Sequence, residues 1–265
     1  MIAEVFKEVE TEPAGQFFDL PGGQAFLYLR KLPGKETANE DSAGLFALPD
    51  KDIVLAVADG MGGTPSGAKA SGIVVTQLQK ALKASTRGQS DHREDILNGI
   101  ESANKQILEL GVGAGSTAAV LEISRNIVRP YHVGDSEILL VGQRGKLKLQ
   151  TISHSPVGYG IESGLIGPEE AIYHHERHLI SNFLGSQEMR IEIGAAVTMS
   201  RYDTLLIASD GVFDNAHLDE LIALIRKGPL KQVGKLLTEL ISMRMQSNTP
   251  PCKPDDVGFI LYRRT

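Results

Sequence analysis

Five short acidic segments lie far apart in this chain, each beside glycine or at the edge of an apolar run. They are Glu40-Asp41 in NEDS, Asp59 in ADGMGG, Asp135 in VGDSE, Asp210 in ASDGVFD and Asp255-Asp256 in PDDVGF. A carboxylate placed directly after a strand such as VLAVA or TLLIA projects from the rim of a buried sheet, and several strands can aim such groups at one point. Carboxylates gathered in a cleft repel one another, so their convergence calls for a cation. Mg²⁺ or Mn²⁺, which prefer hard oxygen ligands, would neutralise them. The adjacent glycines let backbone approach such ions closely. A single Asp-Gly after a strand is usually only a turn, but five in order predict a metal centre.

The elements needed to position these acids can be followed along the chain. After a polar start, Ala25–Leu29, Leu45–Leu48 and Ile53–Ala58 read as short apolar strands, and the connection LPGKETANEDSAG reads as a polar loop. Helices are predicted over about Ala68–Ala84 and Arg93–Leu110, the second with Ile96, Ile100, Ala103, Ile107 and Leu110 at helical spacing. The segments Ser116–Ile123, Ile127–Val133, Glu137–Val141 and Leu147–Ile152 are separated by turn residues so closely that they predict antiparallel meanders. The stretch Ser153–Ser186 is rich in Gly and His, with one short helix expected at Pro168–His174, and is read as a mobile flap. Strands at Arg190–Val197 and Thr204–Ser209, helices at Leu218–Arg226 and Leu230–Met245, and a last strand Val257–Tyr262 complete the pattern. Runs of strands alternating with pairs of helices predict an α+β fold with antiparallel sheets covered by helices, and no linker or internal repeat divides it.

Composition bounds the function. The 265 residues, 42% hydrophobic, suffice for one domain with a sizeable core. A net charge of −6 argues against bulk binding to nucleic acid or anionic membrane. No apolar stretch approaches the roughly 20 residues of a membrane-spanning helix. One cysteine, Cys252, cannot form an internal disulfide, and MIAEVFKEVE lacks the basic and apolar regions of a signal peptide, so a cytoplasmic location is expected.

Taken in order, NEDS, VLAVADGMGG, GSTAAV, YHVGDSEILLV, LLIASDGVFD and PDDVGFILYR resemble the metal-dependent Ser/Thr protein phosphatases, the PPM family or protein phosphatase type 2C, in its bacterial style. The match runs from about Asn39 to Arg263. The resemblance implies a central sandwich of two antiparallel sheets flanked by helix pairs, a single phosphatase domain over 1–265, and hydrolysis of phosphoserine and phosphothreonine on proteins. It further implies that Asp59 bridges two ions, Mn²⁺ or Mg²⁺, that the Gly60 carbonyl binds one of them, and that Asp210 and Asp255 complete the ligand set of the second ion. Glu40 and Asp41 match the pair that binds metal directly or through water. Asp135, with Asp210, matches the site of a third, weaker metal. A water shared by two cations would attack phosphorus in line with no phospho-enzyme. The expected partners are phosphorylated proteins and a cognate Ser/Thr kinase, with the chain acting as a monomer.

Several positions depart from the family pattern. Glu36 stands where an Arg usually grips the substrate phosphate, and Lys35 beside it is the candidate replacement. Glu137 stands where an Arg often follows GDS, Gly258 replaces a usual Thr, and Met61 replaces the histidine of eukaryotic relatives, leaving a metal-bound water as the expected proton donor. These losses keep a second function open, a phosphatase-like module that binds phosphoproteins or a kinase without turnover. His154, His174, His175 and His178 lack a zinc-ligand frame and are read as solvated flap histidines. GVGAGS at Gly111–Ser116 follows a helix and leads into a strand, the reverse of a dinucleotide loop. Cys252, between proline residues and without a neighbouring His, is not read as a catalytic thiol.

Overall fold

The structure, a computed structural model, describes residues 2–11, 14–61, 65–84, 92–247 and 251–265. Gly62 and Gly63 of the DGMGG motif lie outside them. Strands β1 (Ile2–Phe6), β2 (Gln16–Leu20), β3 (Gly23–Arg30), β4 (Asp41–Ala47) and β5 (Ile53–Met61) precede helices α1 (Pro65–Ala84) and α2 (Arg93–Leu108). A second strand series follows: β6 (Gly115–Ser116), β7 (Ala118–Ser124), β8 (Ile127–Val133), β9 (Glu137–Val141) and β10 (Leu147–Gln150). Short helices α3 (Pro156–Glu162) and α4 (Pro168–Ala171) lead to β11 (Glu192–Ile193), β12 (Val197–Thr198) and β13 (Thr204–Ala208). The chain ends with α5 (Asp210–Phe213), α6 (Leu218–Ile225), α7 (Leu230–Met245) and β14 (Val257–Arg264).

Two antiparallel sheets result. One runs β1-β4-β5-β7-β8-β11, with β12 also on β8 and β6 on β5, and the other runs β10-β9-β13-β14-β3-β2. Their central strands are near-continuously apolar because both faces are covered, and the period of two sorts each strand's side chains between two cores. In β5, Ile53, Leu55 and Val57 fill the space between the sheets, while Val54, Ala56 and Ala58 face the layer of α1 and α2. In β13, Leu205 and Ile207 point between the sheets, and Leu206 and Ala208 pack toward α6 and α7. The expected α-β-β-α layering is therefore the observed one. Each layer is fixed by an amphipathic helix stripe such as Ile96, Ile100, Ala103 and Ile107 of α2.

Local corrections follow from pairing and capping. The polar start contains β1 and β2, because edge strands exposed on one face alternate instead of reading as apolar runs. Arg190–Val197 is not one strand; β11 and β12 are separate two-residue contacts on β8. Within Ser153–Ser186, α3 starts at Ser155, whose Oγ accepts the Gly158 N–H at 2.9 Å, with Pro156 at the first helical position. The helix expected at Pro168–His174 ends at Ala171, and the helix expected to reach Leu110 ends at Leu108. No helix among the described residues is long and apolar enough to cross a membrane.

Candidate active site

Asp41 and Asp59 are cross-strand partners at the ends of β4 and β5. Neither lies after a strand, as the sequence suggested. Asp41 opens β4, and Asp59 lies within β5 because Gly60 and Met61 continue pairing, with Ser116 and Gly115. The GSTAAV segment locks Asp59: its N–H donates to Thr117 Oγ1 at 2.9 Å, while its carbonyl accepts the Thr117 N–H at 2.8 Å and Ser116 Oγ at 3.0 Å. Gly60 donates to the Glu40 carbonyl at 3.0 Å, and a Cβ there would fall 2.0 Å from the Gly67 carbonyl oxygen, so only glycine fits. Ser209 Oγ donates to Asp41 Oδ2 at 2.7 Å. A Cβ on Gly258 would lie 2.9 Å from that oxygen, which accounts for glycine where threonine is usual: this placement of Asp41 needs the space.

The remaining acids come from turns. Asp135 sits between β8 and β9, on a turn held by His154, whose N–H donates to the Gly134 carbonyl at 2.9 Å and whose Nδ1 accepts the Gly134 N–H at 3.1 Å. Asp210 opens the short helix α5, with Ser209 between it and β13, and Asp255 lies two residues before β14. Lys253 reaches into this group, with Nζ bonded to Asp210 Oδ2, 2.8 Å from Asp214 Oδ2 and 3.3 Å from Asp255 Oδ2. On the opposite side Asp256 is buried and organises the loop before β4. Its Oδ1 accepts the Leu32 N–H at 2.8 Å, and its Oδ2 accepts the Glu40 N–H and Lys35 Nζ, both at 2.7 Å. Lys35 Nζ also lies 2.5 Å from Glu40 Oε2. Glu36 is exposed.

Electrostatics shows how closely the acids converge. Burial, then the charges of Asp41, Asp210, Asp135 and Asp255, push the Asp59 carboxyl well above the usual range. Burial raises Asp41 likewise, opposed by the Ser209 hydrogen bond and reinforced by Asp256, Asp255 and Asp210. Asp135 is pushed up to about 8 by burial and Asp210, and Asp255 to about 6 for the same reasons. Burial alone would lower the Lys253 ammonium, but Asp210 and Asp214 carry it far above the ordinary lysine value. Two unit charges about 5 Å apart repel by ~3 kcal/mol at an effective dielectric of 20. A neutral hydrogen bond such as that from Ser209 returns only about 1 kcal/mol, so hydrogen bonding cannot balance the cluster. Glu40 Oε1, Asp41 Oδ1 and Asp210 Oδ1 are buried and lack a hydrogen-bond partner among the described residues. Unpartnered hard oxygens beside Asp59 fit a centre for divalent cations.

Comparisons with known proteins agree with this geometry. Residues 34–235 match the family described as protein phosphatase 2C. The chain is 33% identical to protein phosphatase PhpP of Streptococcus pneumoniae over 67% of this chain and 74% of PhpP. The solved structure of the serine/threonine phosphatase Stp1 from Staphylococcus aureus superposes with a TM-score of 0.80 at 26% identity, covering 94% of this chain and 98% of Stp1. The catalytic domain of the serine threonine protein phosphatase PstP, solved with two manganese ions, shares the fold with a TM-score of 0.70 at 24% identity over 90% of this chain and 96% of that domain.

The chain belongs to the protein phosphatase 2C family. Membership makes it a metal-dependent serine/threonine protein phosphatase acting on phosphoproteins, and the reading as a module without turnover is not favoured. Several residues of this 2C phosphatase were not singled out from sequence. Asp214 and Lys253 complete the turn-borne group and Ser209 orients Asp41, while Asp256, which the sequence did name beside Asp255, holds the Glu40 backbone. Asp214 closes the quoted ASDGVFD motif and Lys253 stands two residues before Asp255, so proximity to the motifs was the available signal. His154 was misplaced by the sequence. It is buried, stacked on His132 with centroids 4.3 Å apart, and its Nε2 lies 3.1 Å from Glu192 Oε2. Because its Nδ1 accepts from Gly134 and from Asn182, its proton is on Nε2, an arrangement for hydrogen bonding that leaves no free lone pair for a metal. His175 and His178 are exposed, as expected of flap histidines, and His174 is half-buried. Glu137 accepts from Gln150 at 3.0 Å and is pushed up to about 7 by burial. It lines a cavity of about 200 Å³ together with Asp135, Ser153, Arg177, Asp210 and Asp214.

Proposed function

We propose that this phosphatase holds two tightly bound divalent ions, Mn²⁺ or Mg²⁺, on Asp59, the Gly60 carbonyl, Asp210 and Asp255, with Glu40 and Asp41 contributing directly or through water. The observation that carries this assignment is the set of buried, unpartnered oxygens on Glu40, Asp41 and Asp210 around Asp59. The two manganese ions of the PstP domain support the count. Bound there, such ions supply Lewis-acid activation of water and charge neutralisation at the phosphoryl group. The chain's own residues fix the geometry. Thr117 and Ser116 immobilise Asp59, Ser209 orients Asp41, and Asp256 holds the Glu40 backbone. Lys35 uses two of its three donors on Glu40 and Asp256, and the third meets the substrate phosphate. Asp135 lies peripheral to this centre.

The substrates are phosphoserine and phosphothreonine in cytoplasmic proteins, including those modified by a cognate kinase. The chain acts as a monomeric single domain with 153–186 as a flap beside the centre. The test is hydrolysis of p-nitrophenyl phosphate and phosphopeptides by protein stripped of metal, then given Mn²⁺ or Mg²⁺. Activity is expected only after metal is added, and full turnover in excess EDTA would refute the assignment.

A further inference from the structure

Lys253 is the residue of the acidic centre that no metal-ligand pattern explains. Its backbone is built into place. The fully buried Asn215 donates from Nδ2 to the Lys253 carbonyl at 2.8 Å and accepts the Lys253 N–H on Oδ1 at 2.9 Å. The same Nδ2 donates to the Gly211 carbonyl at 3.0 Å, which ties the clamp to the turn carrying Asp210. Arg177 adds a bond to the Cys252 carbonyl at 3.2 Å. The lysine head is thus delivered to the carboxylates by a rigid frame.

The ammonium divides the carboxylate oxygens into two sets. It is held by Asp210 and Asp214, whose side chains are 18% and 15% exposed, and more loosely by Asp255, which is 38% exposed and 3.3 Å away. Asp210 gives Oδ2 to the lysine and keeps Oδ1 buried without a hydrogen-bond partner among the described residues. Asp41 and Glu40 likewise keep one oxygen each, Oδ1 and Oε1, without a hydrogen-bond partner among those residues. Asp214 Oδ2 is charge-paired with the ammonium at 2.8 Å but has no hydrogen bond among them. Asp210, Lys253 and Asp214 are also the charges that act on Asp135.

We propose that Lys253 is a resident cation at the Asp135–Asp210–Asp214 end of the centre, filling the charge-balancing role of a third, weaker metal, so that this phosphatase works with two divalent ions. The inference rests on the metal centre proposed above. A tethered ammonium does not dissociate, so its presence is independent of free metal concentration, as an intramolecular ligand's is. As a compact point charge it balances carboxylates and cannot act as a Lewis acid toward water.

The test is a count of bound Mn²⁺ by equilibrium dialysis and calorimetry on metal-stripped full-length protein, from micromolar to millimolar metal. Wild type is expected to bind two ions, Lys253→Arg two, and Lys253→Met two plus a weak third. Metal-free Lys253→Met is expected to melt below wild type and to recover when Mn²⁺ is added. Three ions in wild type, or only two in a folded Lys253→Met, would overturn the role of Lys253 while leaving the metal centre standing. If Lys253→Met does not fold, the wild-type count decides alone. No bound Mn²⁺ in wild type would remove the metal centre itself, and this inference with it.

Discussion

The two walls of the acidic centre are built differently. On one wall Asp41 and Asp59 are set into adjacent central strands, opposite each other in register, and Asp59 is locked by hydrogen bonds to Ser116 and Thr117. On the other, Asp135, Asp210, Asp214 and Asp255 sit on turns or a short helix, and Lys253 stands among the last three. Strand-borne carboxylates cannot rotate apart, since register fixes their Cβ positions. Turn-borne ones are stabilised by a counter-charge from the chain itself. On the proposed assignment Asp210 and Asp255 do both, offering oxygens to the ions while Lys253 offsets part of their charge, whereas Asp41 and Asp59 have no such counter-charge beside them among the described residues.

The largest effect expected from breaking this contrast is at Asp59. In Asp59→Asn the strand-borne wall loses a charge at the point where four other acids act on it, and kcat with Mn²⁺ should fall well beyond tenfold, more than ~1.4 kcal/mol of barrier. Retention of over a tenth of the rate would contradict the assignment. Next in size is Asp135→Ala on the turn-borne wall. Calorimetry should still find both tight metal sites, with a rate reduced less than in Asp59→Asn; loss of both sites would place Asp135 in the wrong half of the centre.

The contrast also explains what the sequence made legible. Layering was readable because doubly covered strands such as VLAVA and TLLIA are continuous apolar runs. The acidic motifs were readable because each closes or opens such a run. Side-chain partners across the chain were not: Asp256 with Lys35, Asn215 with Lys253 and His154 with Gly134 each join residues with no shared local pattern. His154 looked like one of several flap histidines. Its burial depends on the distant Asn182 and Glu192.

A smaller effect is expected in the loop before β4. Lys35 is engaged by Glu40 and Asp256, and Glu36 is exposed beside it. If Lys35 contacts phosphate, Lys35→Ala should raise KM for phosphopeptides several-fold while Glu36→Arg gains little. If Glu36 instead repels the incoming dianion, Glu36→Arg should lower KM several-fold, consistent with about 1.5–3 kcal/mol for a hydrogen bond to a charged group. Raised salt should diminish whichever effect appears, since exposed charges are screened over about 10 Å at 0.1 M. KM unchanged in both variants would leave phosphate recognition to the metals.

The smallest effect concerns the pH dependence of metal-free stability. Asp135 is pushed up to about 8 and Asp255 to about 6, and burial raises Asp41 and Asp59 in the same direction. An unfolded carboxyl loses its proton near pH 4. Between about pH 4 and 8 the native state therefore binds more protons than the unfolded chain, and stability falls as pH rises, by up to ~1.4 kcal/mol per pH unit for each extra proton. Lys253 adds no slope in this window, because its raised value keeps it protonated throughout. The melting temperature in chelator should accordingly drop by a few degrees from pH 6 to pH 8.5. Saturating Mn²⁺ should flatten the trend, since bound metal keeps the carboxylates ionised. Asp135→Asn should remove the part of the slope nearest pH 8 and leave the part near pH 6, where Asp255 titrates. Glu137, pushed up to about 7, adds to the slope between them, so a slope near pH 8 that survives in the double variant Asp135→Asn with Glu137→Gln would move the excess proton to the strand-borne pair, Asp41 and Asp59.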